Sequence, residues 1–150
     1  MRVGDFCKHG VVTVCTTADI VEVAQTMRDE HVGFVVVVQE GDASRTPQGV
    51  ISDRDIVLSV SAREVNPRAV TAADIMSPKP LVACETDDLN EVVQAMRIAG
   101  FRRVPVLTRA GVLTGVIAID DAIEVIAGML VDVCGSIRNE QRQERLHRAS

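Results

Sequence analysis

Tryptophan and tyrosine are absent from this 150-residue chain, and phenylalanine occurs only three times. Any core must therefore be built from Val, Ile, Leu, Ala and Met, which the 47% apolar content supplies. Valine-rich runs of this kind favour strands, because β-branched side chains suit a pleated surface. A basic excess is also lacking. The formal net charge is −5, which argues against a nucleic-acid surface, since phosphate binding draws on cationic side chains. Cysteine is scattered: Cys7, Cys15, Cys84 and Cys134 form no C-x-x-C pair. A structural zinc site uses close paired ligands, so no metal is expected and the thiols read as reduced. No apolar segment with a cleavage site opens the sequence. The longest unbroken apolar run, Phe34–Val38, is far too short to cross a bilayer. A cytoplasmic protein without membrane contact is expected.

What the chain does contain is a copy of itself. Residues 3–38 align without a gap on residues 72–107, and eleven of the 36 pairs are identical, Asp19/Asp88, Glu22/Glu91 and Met27/Met96 among them. Average composition would give about two. Beyond this block the offset falls from 69 to 66, and Gly49-Val50-Ile51 aligns with Gly115-Val116-Ile117. Each copy predicts a short strand (Val11–Val14; Leu81–Ala83), then Thr17 or Thr86 as a helix cap. The helix that follows places Ile20, Val23, Ala24 and Met27, or Leu89, Val92, Val93 and Met96, on one face. A second strand (Phe34–Val38; Val104–Leu107), a turn rich in breakers, a third strand (Gly49–Ile51; Gly115–Ile117) and a second helix complete the unit. Such a unit is too small to bury its sheet alone. The expected fold is α/β (α+β): two β-α-β-β-α repeats packed face to face with pseudo-two-fold symmetry, plus a C-terminal helical extension. The boundaries predicted are residues 1–64, a linker at 65–72, a second repeat at 73–130 and a helical tail at 131–150.

Two patterns carry chemistry. Ser52-Asp53-Arg54-Asp55 follows the third strand of the first copy. A hydroxyl at a helix start lies beside free backbone N–H groups, which attract phosphate, and an acid three residues on can accept from both hydroxyls of a ribose. Taken alone, the pattern equally describes a helix cap with a solvated acid. In the second copy, Phe101-Arg102-Arg103-Val104-Pro105-Val106 sets two guanidinium groups before a buried strand. Arginine grips phosphate through a planar fork, although paired surface arginines also serve simply to balance nearby acids.

The duplication, the string GVISDRDIV and the lead-in FRRVPV together resemble the CBS (cystathionine-β-synthase) family, whose tandem pairs form the Bateman module; the likeness spans roughly residues 1 to 130. It implies that Asp55 binds ribose, that Ser52 supports ribose or phosphate, and that Arg102 and Arg103 reach the same cleft from the other copy. Gly10, Val11, Val12 and Thr13, with Val32 and Gly33, would border the adenine. In the pseudo-symmetric cleft Asp121 is retained, but Ala118 replaces the hydroxyl, and Gly33 and Phe34 stand where the arginines would be. The resemblance therefore implies one complete nucleotide site per chain, with Asp121 marking a second cleft that is empty or suited to a ligand without phosphates.

The function implied is a regulatory module sensing an adenine nucleotide (AMP, ADP or ATP), with no catalytic cofactor. Alternatives are an S-adenosylmethionine or NAD binder, or a structural dimerisation module with a vestigial site. No enzyme is expected: His9, His31 and His147 stand alone, without a nucleophile-and-base arrangement. Beyond Asp121, Ile123, Ile126, Ala127, Leu130, Val131, Cys134 and Ile137 form an apolar stripe on one long helix. That stripe predicts either a helix folded back over its own chain or a dimer contact, and family practice favours a homodimer, read in turn by an unidentified protein partner.

Overall fold

The computed structural model describes residues 1–148; Ala149 and Ser150, the end of the expected tail, lie outside the described residues. A 3-10 turn (Val3–Asp5) leads into β1 (Lys8–His9), β2 (Thr13–Cys15), α1 (Ile20–Asp29), β3 (Phe34–Val38), β4 (Gly49–Ser52) and α2 (Asp53–Ile56), which widens into a π-turn at Val57–Ser61. After a 3-10 turn at Pro67–Ala69 the series recurs as α3 (Ala72–Ile75), β5 (Ser77–Pro78), β6 (Ala83–Cys84), α4 (Leu89–Ala99), β7 (Arg103–Leu107), β8 (Leu113–Ala118) and α5 (Ile119–Arg148).

The amphipathic helices begin two residues later than Thr17 and Thr86 suggested. Their caps are Asp19 and Asp88. Asp19 Oδ1 accepts from Glu22 N at 2.9 Å while Glu22 Oε2 accepts from Asp19 N at 2.9 Å, closing a capping box. A carboxylate beats a threonine hydroxyl here because it is also favoured by the helix dipole. The inward faces are Ile20, Val23 and Met27 in α1 and Leu89, Val92 and Met96 in α4; Ala24 is exposed.

In β3 four consecutive valines follow Phe34, and all four are buried. Val35 and Val37 pack under the first-half helices, while Val36 and Val38, with Val50 of the adjoining β4, face the other sheet and meet Leu113 of β8. Strand alternation sorts the side chains this way, and burial of both faces removes any place for a polar residue. The first strands are shorter than predicted. In the first half Val36 N still donates to Val12 O at 3.1 Å. Pro105 occupies the equivalent position in β7, has no N–H to give, and β6 shrinks to two residues.

The halves exchange their opening segments. The sheets run β2-β3-β4-β5 and β1-β8-β7-β6, so β5 joins the first-half sheet and β1 joins the second. Reciprocal hydrogen bonds fix the exchange: Val3 N to Asp87 O at 2.9 Å mirrors Ala72 N to Ala18 O at 2.8 Å. Gly49 and Gly115 make room for it. A Cβ on Gly115 would lie 2.7 Å from Cys7 Sγ and 3.0 Å from Lys8 O, and one on Gly49 would fall onto the Met76 side chain, 2.9 Å from its Cβ. Gly49→Ala is therefore expected to cost about 1–3 kcal/mol by overpacking. The readout is a Tm lower by roughly 3–10 °C. Gly128→Ala, which meets open space on α5, should not lower Tm; equal behaviour of the two variants would remove the steric argument.

The long C-terminal helix does not fold back. Its inner face ends at Ala122 and the half-buried Val125, and every described residue from Ile126 onward is exposed. It also runs unbroken through residue 130.

Candidate functional site: a cleft between the repeats

Where the two sheets meet, the lead-ins to β3 and β7 and the start of α5 enclose a cavity of 440 Å³, within the usual range for a small-molecule site. Gly10, Val11 and Val12 form one wall, with Val32, Gly33 and Phe34 beside them. Arg103, Val116, Ala118, Asp120 and Asp121 close the other side, and β1 brings Lys8 and His9 to the rim.

Asp121 is the chemical centre of this cavity. It is the third residue of α5, and at 5% exposure it is the one buried charged residue among those described. Its Oδ2 accepts from Ala118 N at 2.8 Å, and its Oδ1 lies 2.8 Å from Lys8 Nζ. Asp121 holds the Lys8 ammonium above the usual lysine range, chiefly through that hydrogen bond. Arg102 lies 3.8 Å from Asp120 at the exposed margin. Arg103 has no acidic partner among the described residues.

The first half carries the same device with different occupancy. Ser52 caps α2, its Oγ accepting from Asp55 N at 3.2 Å, while Asp55 Oδ2 accepts from Ser52 N at 2.7 Å. Asp55 Oδ1 meets no donor among the described residues. Both carboxylates thus spend one oxygen on their own backbone. In Asp55 the second oxygen is unpaired, and in Asp121 it is taken by Lys8.

The CBS domain family model matches the chain twice, over residues 3–62 and 72–128. The chain belongs to the CBS domain family. An uncharacterized protein of Methanopyrus kandleri is 38% identical over 126 residues, 83% of this chain and 62% of that protein, so the chain spans less than two thirds of that relative. The Bacillus subtilis protein YlbB, also uncharacterized, is 35% identical over 71% of this chain and 70% of its own length. A CBS domain protein from Pyrobaculum aerophilum, solved in complex with AMP, superposes with a TM-score of 0.73 at 30% identity, covering 81% of this chain and 89% of that one. Two CBS repeats plus a C-terminal helix describe the architecture.

Within this CBS pair the predicted site residues are divided. Gly10, Val11, Val12, Val32, Gly33 and Arg103 share a cavity with Asp121, and Ser52 and Asp55 do not line it. Thr13 lies in β2, bordering a separate hollow with Cys15 and Thr17. The pairing of Asp55 with the Gly10–Thr13 wall placed an acid and a wall from the same repeat together. The structure instead sets the Gly10–Val12 wall against Asp121, the acid of the other repeat. By the internal correspondence Gly33 maps onto Arg102, Gly10–Val12 onto Lys79–Leu81, Ala118 onto Ser52 and Asp121 onto Asp55. Registers agree, since Phe34 pairs with Ser52 as Arg103 pairs with Ala118. Lys8, His9 and His31 were missed. His9 and His31, read as isolated, both border the cavity, and β-strand exchange, invisible in a linear alignment, is what carries Lys8 and His9 there.

A larger hollow of 620 Å³ lies on the outer face, lined by Ile20, Val21, Ala24, Ile56 and Val60 among others, and gathers no buried carboxylate. Among the described residues no group of three or more His, Cys, Asp or Glu is placed to hold a metal, and no helix is long and apolar enough to cross a membrane. All four cysteines are free, and burial pushes the Cys7 thiol up, away from the nucleophilic thiolate.

Proposed function

We propose that this CBS pair is a non-enzymatic regulatory module that binds an adenine nucleotide between its repeats, in the cleft of Asp55. The observation that carries the reading is the Asp55 carboxylate, held rigidly by the Ser52 backbone through Oδ2 while Oδ1 has no partner. A carboxylate fixed in that way is preorganised to accept from a ribose diol. Ser52 adds a hydroxyl, and Arg102, the counterpart of Gly33 in the internal correspondence, is the phosphate ligand from the other repeat. The AMP complex of the Pyrobaculum relative supports the ligand class. Binding that tightens the packing of the repeats in one state over another would make the change legible to a partner protein.

A thermal-shift panel with AMP, ADP, ATP, NAD and S-adenosylmethionine tests this. Ligand at a hundredfold excess over Kd adds about 2.7 kcal/mol, a rise of roughly 5–10 °C for a domain of this size. No shift with any adenosyl compound would leave the second reading, an assembly module, in its place. That reading has its own observation: the exposed apolar ridge of α5, through which we propose that the chain forms a homodimer.

A further inference from the structure

The two clefts also differ at a position that neither repeat motif contains. Position 8 corresponds to position 77, so Lys8 faces Asp121 where its counterpart in the other half is Ser77. Strand exchange fixes Lys8 in place. It is hydrogen-bonded into the second sheet opposite Val116, and next to it His9 Nδ1 meets Thr114 O at 3.1 Å. Its Nζ occupies the one oxygen of Asp121 that the backbone leaves over, and the ammonium stays open to solvent, with 75% of the side chain exposed.

An uncharged nucleoside placing its sugar on Asp121 would strip that carboxylate of its cation and leave Lys8 with nothing in exchange. A phosphorylated one brings its own anion. Arg103, the cavity's other strong cation, has no acid partner among the described residues, whereas Asp120 already faces Arg102. We propose that Lys8 makes the Asp121 cleft a second site selective for anionic ligands: a nucleoside phosphate takes Asp121 with its sugar hydroxyls while its phosphate replaces the carboxylate as partner of Lys8, beside Arg103. The Asp55 cleft, with Ser77 in place of the lysine, admits the nucleoside and the nucleotide alike. This rests on the adenine-nucleotide reading and refines it, because Gly33 and Phe34 alone would have left the second cleft without a phosphate ligand.

Isothermal titration with AMP and adenosine, the probes used throughout, tests it. The native chain should take two AMP but one adenosine. In the full-length Asp55→Ala chain one AMP site should remain, with adenosine at least thirtyfold weaker. Adding Lys8→Gln should shrink that ratio about tenfold or more, the worth of one charge-assisted hydrogen bond, by tightening adenosine and loosening AMP; Lys8→Arg should restore it. Lys8 is exposed, so its variants should fold, and the stoichiometries of the native chain stand even if Asp55→Ala does not. One AMP per native chain, two adenosines per native chain, or a ratio that Lys8→Gln leaves unchanged would overturn this proposal and leave nucleotide binding at Asp55 standing. A native chain that binds no adenine nucleotide would overturn both.

Discussion

With Asp55 and Asp121 both replaced by alanine, the chain is expected to bind AMP about a hundredfold more weakly than the native protein and to lose its ligand-induced rise in Tm. Each carboxylate offers a fixed acceptor to a ribose diol, and a hydrogen bond to a charged group is worth about 1.5–3 kcal/mol. Two such bonds per sugar put the loss at about 3 kcal/mol or more, which is the hundredfold. The substitutions also remove a contact at each helix start, costing about 1 kcal/mol apiece, so titration heats rather than Tm alone must decide. Arg102→Ala should separate the parts of the ligand, weakening AMP while sparing adenosine, because a guanidinium has no business with an uncharged sugar. Unaltered AMP affinity in the double alanine chain would end the ribose assignment in either cleft.

The second large effect concerns α5. Ile123, Ile126, Leu130, Val133 and Ile137 recur at alternating intervals of three and four residues, and each is more than half exposed. That is the spacing of a two-helix seam. The helix is 30 residues long, about 45 Å, and from Ile126 onward every described residue is exposed. A lone helix of that kind is marginal in water, so a second copy is the partner its geometry asks for. Charge sets the direction. Asp120, Glu124 and Asp132 lie toward its start, and Arg138, Arg142, Arg145 and Arg148 toward its end. An antiparallel pair overlapping between Ile123 and Ile137 brings the two signs together, whereas a parallel pair would stack Glu140 and Glu144 on themselves at the continuing seam positions. Ile126→Glu with Leu130→Glu places four carboxylates in the dimer seam and is expected to convert the protein wholly to monomer at micromolar concentration, as read by light scattering after size exclusion. A native monomer, or a dimer that survives both glutamates, would move the interface elsewhere, the groove between α1 and the π-turn being the next surface to test.

Much of the fold was legible because a duplicated chain carries its own control. The run Phe34–Val38 is a strand with the predicted ends, since five consecutive apolar residues between a helix and a breaker-rich turn leave few options. The capping residues were misread because Thr17 and Asp19 both suit a helix start, and only the reciprocal reach of Glu22 decides between them. The extent of α5 was visible, but not its isolation, since an apolar stripe predicts burial without saying against what. The cleft was the hardest to read. Its parts come from segments whose proximity depends on β1 and β5 crossing to the opposite sheet, and two-residue strands leave no periodicity to detect. The sequence therefore offered no pattern that singles out Lys8.

Because each half lends its first strand to the other, neither half is a complete object. A solitary half would carry a strand with no sheet to receive it and a sheet margin with nothing to finish it, and could satisfy both only by embracing a second half in return. The covalent chain is in this sense a dimer closed on itself, its connecting segment at Pro67–Ala69 holding the two members at fixed local concentration. Any force that parts the halves must therefore break both handclasps at once, which lets an event in one cleft be felt as a single displacement of the whole.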